Sequence, residues 1–173
     1  MVEQLEVTTA KARLMAPERW HVTVAFLGDV ALSRLELAAE AVRGGVAETG
    51  AFELRFADGG TFGRGTSTVL WAGVGGDVAA LQAISLGVRN RLQWARLPYD
   101  NKPLQPHLTI ARPGIKLQAA ALASDTTALG GYAGPLWPVD EVHLMLSEMV
   151  KTETGPQPHY TTLATVQLAT KPV

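Results

Sequence analysis

Two histidines stand two residues before a threonine at the start of apolar, β-prone segments. His21 and Thr23 belong to WHVTVAFLG, and His107 and Thr109 belong to PHLTIARPG. In an extended strand, residues i and i+2 project to the same face, roughly 7 Å apart, so each segment would present an imidazole beside a hydroxyl. Two such segments brought together would supply an acid, a base and two neutral hydrogen-bond donors. The repeat therefore predicts a site for acid–base chemistry.

This set of groups suits the opening of a 2′,3′-cyclic phosphodiester by water. In-line displacement at phosphorus needs a base for the attacking water and an acid beside the departing oxygen, and histidine changes charge near neutral pH. The threonine hydroxyls would hold the non-bridging oxygens as charge redistributes in the transition state. A metal site is not indicated, because the sequence has no cysteine, no His-x-His pair and no HExxH motif.

A third copy of the tripeptide, His159 to Thr161, shows that the pattern alone is weak evidence. It lacks the alanine that follows both other copies, and we expect His159 on the solvent side of a strand. His143 alternates with apolar neighbours, so an exposed face is expected there too. For His21 and His107 taken singly, a strand-end imidazole bonded to backbone is the competing interpretation, and the matched pair favours the functional one.

Composition restricts the class of protein. The chain has 173 residues, 47 % of them hydrophobic and 18 % charged, with a net charge of −1 and no cysteine. Those values are ordinary for a globular domain without a disulfide framework, and no segment has the pattern of a membrane span or a signal peptide. The charge disfavours an extended nucleic-acid groove but is compatible with binding one terminal phosphate. We expect a single domain over residues 1–173, a cytoplasmic location and a monomer.

Periodicity and turn residues predict the elements that position the two motifs. Their order is strand, helix, strand, strand, helix, strand, helix, strand, strand, which is typical of an α+β domain with antiparallel or mixed sheets. Predicted strands lie at 21–27, 52–56, 67–74, 107–112, 139–148 and 159–168, and a short helix is predicted at 116–124. Ser33 and Glu36 have the spacing of a helix capping box. The glycine-rich segment 59–67 is interpreted as a hairpin turn, because it lacks the lysine of a P-loop.

The paired motifs resemble those of the 2H phosphoesterase superfamily. HVTVAFLGDV is similar to the H-x-T-x-x-F-L-G signature of bacterial and archaeal RNA 2′,3′-cyclic phosphodiesterases, the LigT-like or 2′-5′ RNA ligase family, and PHLTIAR is similar to their second motif. TVLWAGV and VHLMLSEMVKTETGPQPHYTTLATVQL also resemble this family, so the resemblance runs from about Leu14 onward. It implies a bilobal α+β fold, with two pseudo-symmetric lobes around a central cleft and one motif in each lobe.

The resemblance also implies a function and a role for each motif residue. By analogy with the family, His21 is the catalytic proton donor, His107 is the catalytic proton acceptor, and Thr23 and Thr109 bind the substrate phosphate. The implied activity is hydrolysis of RNA 2′,3′-cyclic phosphate termini to 2′-phosphates without a metal or cofactor, with reverse 2′-5′ RNA ligation as a side activity. Arg112 occupies the position of a frequent family arginine, but strict alternation would turn it away from the histidine of its strand.

Two alternatives remain open at this point. A different 2H enzyme could act on small cyclic nucleotides or 2′-5′ oligonucleotides, and a non-catalytic protein could bind RNA ends in the same cleft. Single-stranded RNA is often held by stacking on aromatic rings. We expect Trp20, Trp71, Trp94 and Trp137 in the core or at its rim, and any one of them could stack on a base.

The start of the chain departs from the family pattern. The family opens with a short strand and a helix before the region similar to LMAPERWH, and VEQLEV is similar only to the end of that helix. The first strand is therefore expected to be missing, which would leave an unpaired strand edge.

Overall fold

The computed structural model describes residues 2–8, 13–112, 119–152 and 155–170. The chain divides into two compact units. The first contains the residues up to Thr23, Leu54–Val78 and Gln105–Trp137, and the second contains Val24–Glu53, Ala79–Leu104 and the residues from Pro138 onward. Both His-x-Thr motifs fall within the first unit, and the first motif ends where the chain passes into the second unit at Val24.

Strands and helices are mixed along the whole chain. The strands are β1 (Arg13–Leu14), β2 (Phe52–Phe62), β3 (Val69–Gly76), β4 (His107–Arg112), β5 (Trp137–Val139), β6 (Glu141–Thr152) and β7 (Gly155–Gln167). The α-helices are α1 (Leu35–Val46), α2 (Val78–Trp94) and α3 (Ala119–Leu129), and 3₁₀ turns lie at Val2–Gln4, Glu6–Thr8, Pro17–Arg19, Leu32–Arg34 and Gly65–Ser67. This mixture confirms the predicted α+β class. In the part of the chain that the structure describes, no helix combines the length and hydropathy of a membrane span.

A five-stranded sheet with the order β1-β4-β3-β2-β5, antiparallel among its first four strands, is the framework of the first unit. One of its faces is covered by the N-terminal 3₁₀ turns and α3. The core on that side consists of Leu5, Val7, Leu70, Ala72, Leu108, Ile110, Ala111 and Leu129, all at most 4 % exposed. Because side chains alternate along a strand, His107, Thr109 and Trp71 project from the opposite face.

Asp125 of α3 holds the N-terminal turns in place. Its side chain is 1 % exposed, and its two carboxylate oxygens accept hydrogen bonds from the backbone N–H groups of Glu6 (2.6 Å) and Val7 (2.9 Å). A buried carboxylate needs such partners because its desolvation is costly. These bonds go to a side chain instead of to helical carbonyls, which explains why VEQLEV forms 3₁₀ turns and not the end of an α-helix.

In the second unit, α1 and α2 cross at a contact between glycines. A Cβ atom on Gly87 would lie 2.2 Å from the carbonyl oxygen of Gly45, and a Cβ atom on Gly45 would lie 2.5 Å from the backbone of Val88. The two backbones can approach this closely only where side chains are absent. Beside the helices, β6 and β7 form a separate two-stranded antiparallel sheet.

The predicted strand at 21–27 does not form a ladder, and this expectation was wrong. One bridge is assigned in the segment, at Val22, which pairs antiparallel with Leu108. Further along, the hydroxyl of Ser85 donates to the carbonyl of Val24 (2.6 Å), and the amide of Asp100 donates to the carbonyl of Phe26 (2.8 Å). A side chain and a loop amide thus satisfy carbonyls that a neighbouring strand would otherwise bind.

The remaining elements follow the sequence with shifted ends. The strand at 107–112 is confirmed with the predicted bounds, and those at 52–56, 67–74, 139–148 and 159–168 are confirmed within β2, β3, β6 and β7. The hairpin turn is also confirmed, although β2 extends through part of it. The predicted capping box is wrong, because Ser33 lies inside a 3₁₀ turn and α1 begins after Arg34 with no side-chain cap. The helix predicted at 116–124 is observed as α3, and residues 116–118 lie outside the described residues.

Candidate active site

A single antiparallel bridge, between Val22 and Leu108, relates the first motif (21–23) to the second motif (107–109). In a regular antiparallel pair, this register would set the histidine of each motif opposite the threonine of the other. The two histidines would then be diagonal neighbours, which on one face of such a pair are about 7–8 Å apart. The bridge therefore joins the backbones of the two motifs within the first unit, and we expect the four predicted side chains on one face of it.

The same hydrogen bond orients each histidine. Nδ1 of His21 lies 2.7 Å from the carbonyl oxygen of Arg19, and Nδ1 of His107 lies 2.7 Å from the carbonyl oxygen of Gln105. A carbonyl can only accept, so Nδ1 carries the proton in both rings. Any proton exchange with a ligand would therefore take place at Nε2 in each ring.

The backbone that leads to His21 is tied to β4. The amide of Met15 donates to the carbonyl of Ile110 (2.8 Å), and Nε1 of Trp20 donates to the carbonyl of Met15 (2.9 Å). The chain leaves the sheet edge between these residues in the 3₁₀ turn Pro17–Arg19 and returns to it at the first motif. This excursion fixes the start of the first motif without a regular strand.

His107 lies against two aromatic rings. The Phe62 ring meets the imidazole edge to face at a centroid distance of 4.9 Å, and the Trp71 ring lies 6.3 Å from it. Phe62 and Trp71 are stacked on each other at 4.9 Å. The indole covers the backbone of Gly60, where a Cβ atom would lie 2.8 Å from the ring, and His107 itself pairs in register with Gly73. Small residues on β2 and β3 thus leave room for the rings.

The sequence analysis did not select Phe62 or Trp71 as neighbours of the site. A usable signal was present in β3, where alternation turns Trp71 away from its buried neighbours Leu70 and Ala72. The pairing of that ring with Gly60 depends on the register of β2 and β3, which shifts between Phe56 and Gly59. A shift of this kind is not apparent from the pattern of residue types.

The predicted site residues differ in exposure. His21 and Thr23 are exposed, whereas His107 and Thr109 are half-buried. Arg112 is exposed at the end of β4. Strict alternation along β4 would turn Arg112 away from His107. That alternation is broken before Arg112, because the consecutive residues Ile110 and Ala111 both belong to the core.

The other two histidines lie on the β6–β7 sheet in the second unit. His143 contacts Oε1 of Glu141 through Nε2 (3.1 Å) and Oγ1 of Thr165 through Nδ1 (3.0 Å), and His159 pairs in register with Glu148. Both are exposed, as expected from the sequence. Among the residues that the structure describes, no three His, Asp or Glu side chains are grouped so that they could hold a metal ion.

A family model described as the 2′-5′ RNA ligase superfamily matches residues 2–150. The chain belongs to this superfamily. A curated relative, the RNA 2′,3′-cyclic phosphodiesterase of Geobacillus stearothermophilus, is 33 % identical over 159 residues, which cover 90 % of this chain and 47 % of the relative. The chain thus spans about half the length of the curated relative that it matches.

Solved structures show that the superfamily fold extends over nearly the whole chain. The protein TT0787 of Thermus thermophilus aligns with a TM-score of 0.75 at 22 % identity, covering 95 % of this chain and 87 % of that one. E. coli LigT complexed with 3′-AMP aligns with a TM-score of 0.70 at 22 % identity, covering 96 % and 90 %. The LigT-like α+β fold that the sequence resemblance implied is confirmed.

Proposed function

We propose that this superfamily member hydrolyses the 2′,3′-cyclic phosphate termini of RNA to 2′-phosphates, by acid–base catalysis from two histidines and without a metal ion. The observations that support the proposal are the antiparallel bridge between the two motifs and the backbone carbonyl that holds Nδ1 of each imidazole. Similarity to an RNA 2′,3′-cyclic phosphodiesterase supports the same class of substrate.

His107 is the proposed general base and His21 the proposed general acid. Nε2 of His107 takes a proton from water as the water oxygen forms its bond to phosphorus. Nε2 of His21 donates a proton to O3′ as the bond between phosphorus and O3′ breaks, which leaves the phosphate on O2′. One water is consumed, and proton exchange with solvent returns both rings to their starting states. In-line displacement requires the base and the acid on opposite sides of the phosphorus atom. Diagonal positions of the two histidines across the bridge would suit this requirement.

Thr23 and Thr109 are the proposed ligands of the non-bridging phosphate oxygens. Each threonine stands two residues from the histidine of its own motif, and a regular register about the bridge would set it across from the histidine of the other. Neutral donors in these positions would stabilise the charge that builds on the equatorial oxygens in the transition state. If an RNA 5′-hydroxyl took the place of water in the same in-line step, a 2′-5′ linkage would form. This step is the 2′-5′ RNA ligation that the family resemblance implies.

The test is turnover of a cyclic-phosphate-terminated oligoribonucleotide and of a mononucleotide 2′,3′-cyclic phosphate in the presence of EDTA. We expect a 2′-phosphate product from wild-type protein, and a loss of roughly 10²- to 10⁴-fold in His21→Ala and His107→Ala. His143→Ala is the matched control, because that imidazole is exposed in the second unit, and it should retain full activity.

Three results would overturn the proposal. Binding of RNA ends by wild-type protein without any turnover would identify a non-catalytic binding protein. Turnover of the mononucleotide alone would assign the site to small cyclic nucleotides. Complete loss of activity in EDTA, restored by a divalent cation, would contradict the metal-independent mechanism.

A further inference from the structure

The last turn of α2 carries a surface that neither histidine motif uses. Trp94 is 88 % exposed, which is unusual for so large an apolar side chain. Arg91, one turn earlier, and Arg96, just beyond the helix, are also exposed. We call these three residues the α2-end patch.

The patch is positively charged, and the acidic residues nearest to it in sequence are Asp77 and Asp100. Residues 78–99 contain Arg89, Arg91 and Arg96 and no acidic residue, in a chain whose net charge is −1. The guanidinium of Arg89 is engaged with the carbonyl of Lys102. Within the described ranges, the ion pairs join other residues, and neither Arg91 nor Arg96 takes part in one. Both remain able to contact an anionic partner.

Arg96 is held in a conformation that favours glycine. Its φ is 52°, and it follows α2 in a Schellman motif, in which its own amide donates to Gln93 (3.0 Å) and the amide of Leu97 donates to Leu92 (2.9 Å). The carbonyls of Ala95 and Arg96 also accept from the guanidinium of Arg34, at 2.7 Å and 3.0 Å. Glycine would relieve the backbone strain at Arg96. A side chain in this strained backbone conformation points to a use for that side chain.

We propose that the α2-end patch binds single-stranded RNA, with Trp94 stacked on a base and Arg91 and Arg96 on phosphates. An exposed aromatic ring beside unpaired arginines is the combination that binds single-stranded nucleic acid with little sequence preference. The inference deepens the proposed function and rests on it for the reacting end of the substrate. Its consequence is that oligoribonucleotides bind more tightly than mononucleotides.

The test compares uridine 2′,3′-cyclic phosphate with a uridine oligoribonucleotide of about ten nucleotides that carries the same terminus. Trp94→Ala should raise KM for the oligomer roughly 5- to 100-fold and leave both kinetic constants for the mononucleotide unchanged. Arg96→Gly should raise Tm, because the strain is relieved, and yet raise KM for the oligomer. Leu86→Ala, on the same helix and 62 % exposed, is the control and should change neither KM.

A binding measurement separates this inference from the proposed activity. Fluorescence anisotropy with a labelled oligomer of the same length that ends in a 3′-hydroxyl needs no turnover. Trp94→Ala should weaken this binding to the same degree, and Arg96→Gly should make the salt dependence shallower by about 0.7 in log–log slope. If wild-type protein binds this RNA in a way that depends on Trp94 but shows no turnover, the inference stands and the proposed function is contradicted.

Three outcomes would overturn the inference. Equal effects of Trp94→Ala on mononucleotide and oligomer would show that the residue acts through the fold. Unchanged oligomer binding in Trp94→Ala would remove the stacking role. Self-association of the wild-type protein that Trp94→Ala abolishes in sedimentation, with RNA binding intact, would identify the patch as a surface for a second copy.

Discussion

The rings of Phe62 and His107 meet edge to face at 4.9 Å, so the imidazole is held by an aromatic neighbour as well as by the Gln105 carbonyl. Trp71 supports this arrangement, because its ring stacks on the ring of Phe62 and covers the backbone of Gly60. The orientation of His107 is therefore set by Phe62 on β2, by Trp71 on β3 and by the Gln105 carbonyl in the segment before β4.

Replacement of Phe62 should affect catalysis more than binding. Phe62→Leu removes the aromatic ring that limits rotation of the imidazole. Because a small displacement of a catalytic group lowers the rate of the chemical step, kcat should fall roughly 10- to 100-fold while KM changes little. Phe62→Tyr keeps the ring and should keep most of the activity. Steady-state kinetics on a cyclic-phosphate terminus checks both variants, and a KM effect without a kcat effect would argue against the positioning role.

The two threonines should contribute to the transition state. Thr23→Val and Thr109→Val preserve the β-branched shape and remove the hydroxyl donor, so each should lower kcat by about 10²-fold. Thr23→Ser and Thr109→Ser keep the donor and serve as the matched controls. If the valine variants turn over at the wild-type rate, the phosphate is held by other groups.

The crossing of α1 and α2 should be sensitive to one glycine and tolerant at its neighbour. A Cβ atom on Gly45 meets the backbone of Val88 at 2.5 Å, so Gly45→Ala should lower the free energy of unfolding by about 1–3 kcal/mol. A Cβ atom on Gly44 meets the flexible side chain of Arg91 at 3.2 Å, and Gly44→Ala should be neutral or stabilising by up to about 1 kcal/mol. Urea denaturation of the two variants measures the contrast, and equal effects would contradict the close approach.

Asp125 should be needed to keep the N-terminal turns on the core. Asp125→Ala removes the carboxylate that accepts from the buried amide of Val7, and an unsatisfied buried amide costs about 1–3 kcal/mol. We therefore expect a loss of about 2 kcal/mol in unfolding free energy and faster hydrogen exchange at Val7. Thr127→Ala, on the exposed side of α3, is the control. Unchanged exchange at Val7 in Asp125→Ala would show that apolar packing alone holds the segment.

The sequence predicted the parts of the fold that depend on local pattern. The bounds of β4, the core face of β3 and β4 and the pair of His-x-Thr motifs follow from alternation and residue type. What it did not predict depends on partners distant in sequence. Val24 and Phe26 looked like strand residues, but their carbonyls are bound by Ser85 and Asp100. The contact of Phe62 with the second motif likewise depends on register between strands, which no local pattern specifies.

The central claim is that His21 and His107 act on one phosphorus atom, and a crystal structure with a bound nucleoside 2′-phosphate tests it most directly. The account predicts that Nε2 of both histidines lies within about 3 Å of oxygens that belong to the same phosphate. A phosphate bound by one imidazole alone, with the other ring directed to a separate region, would contradict it.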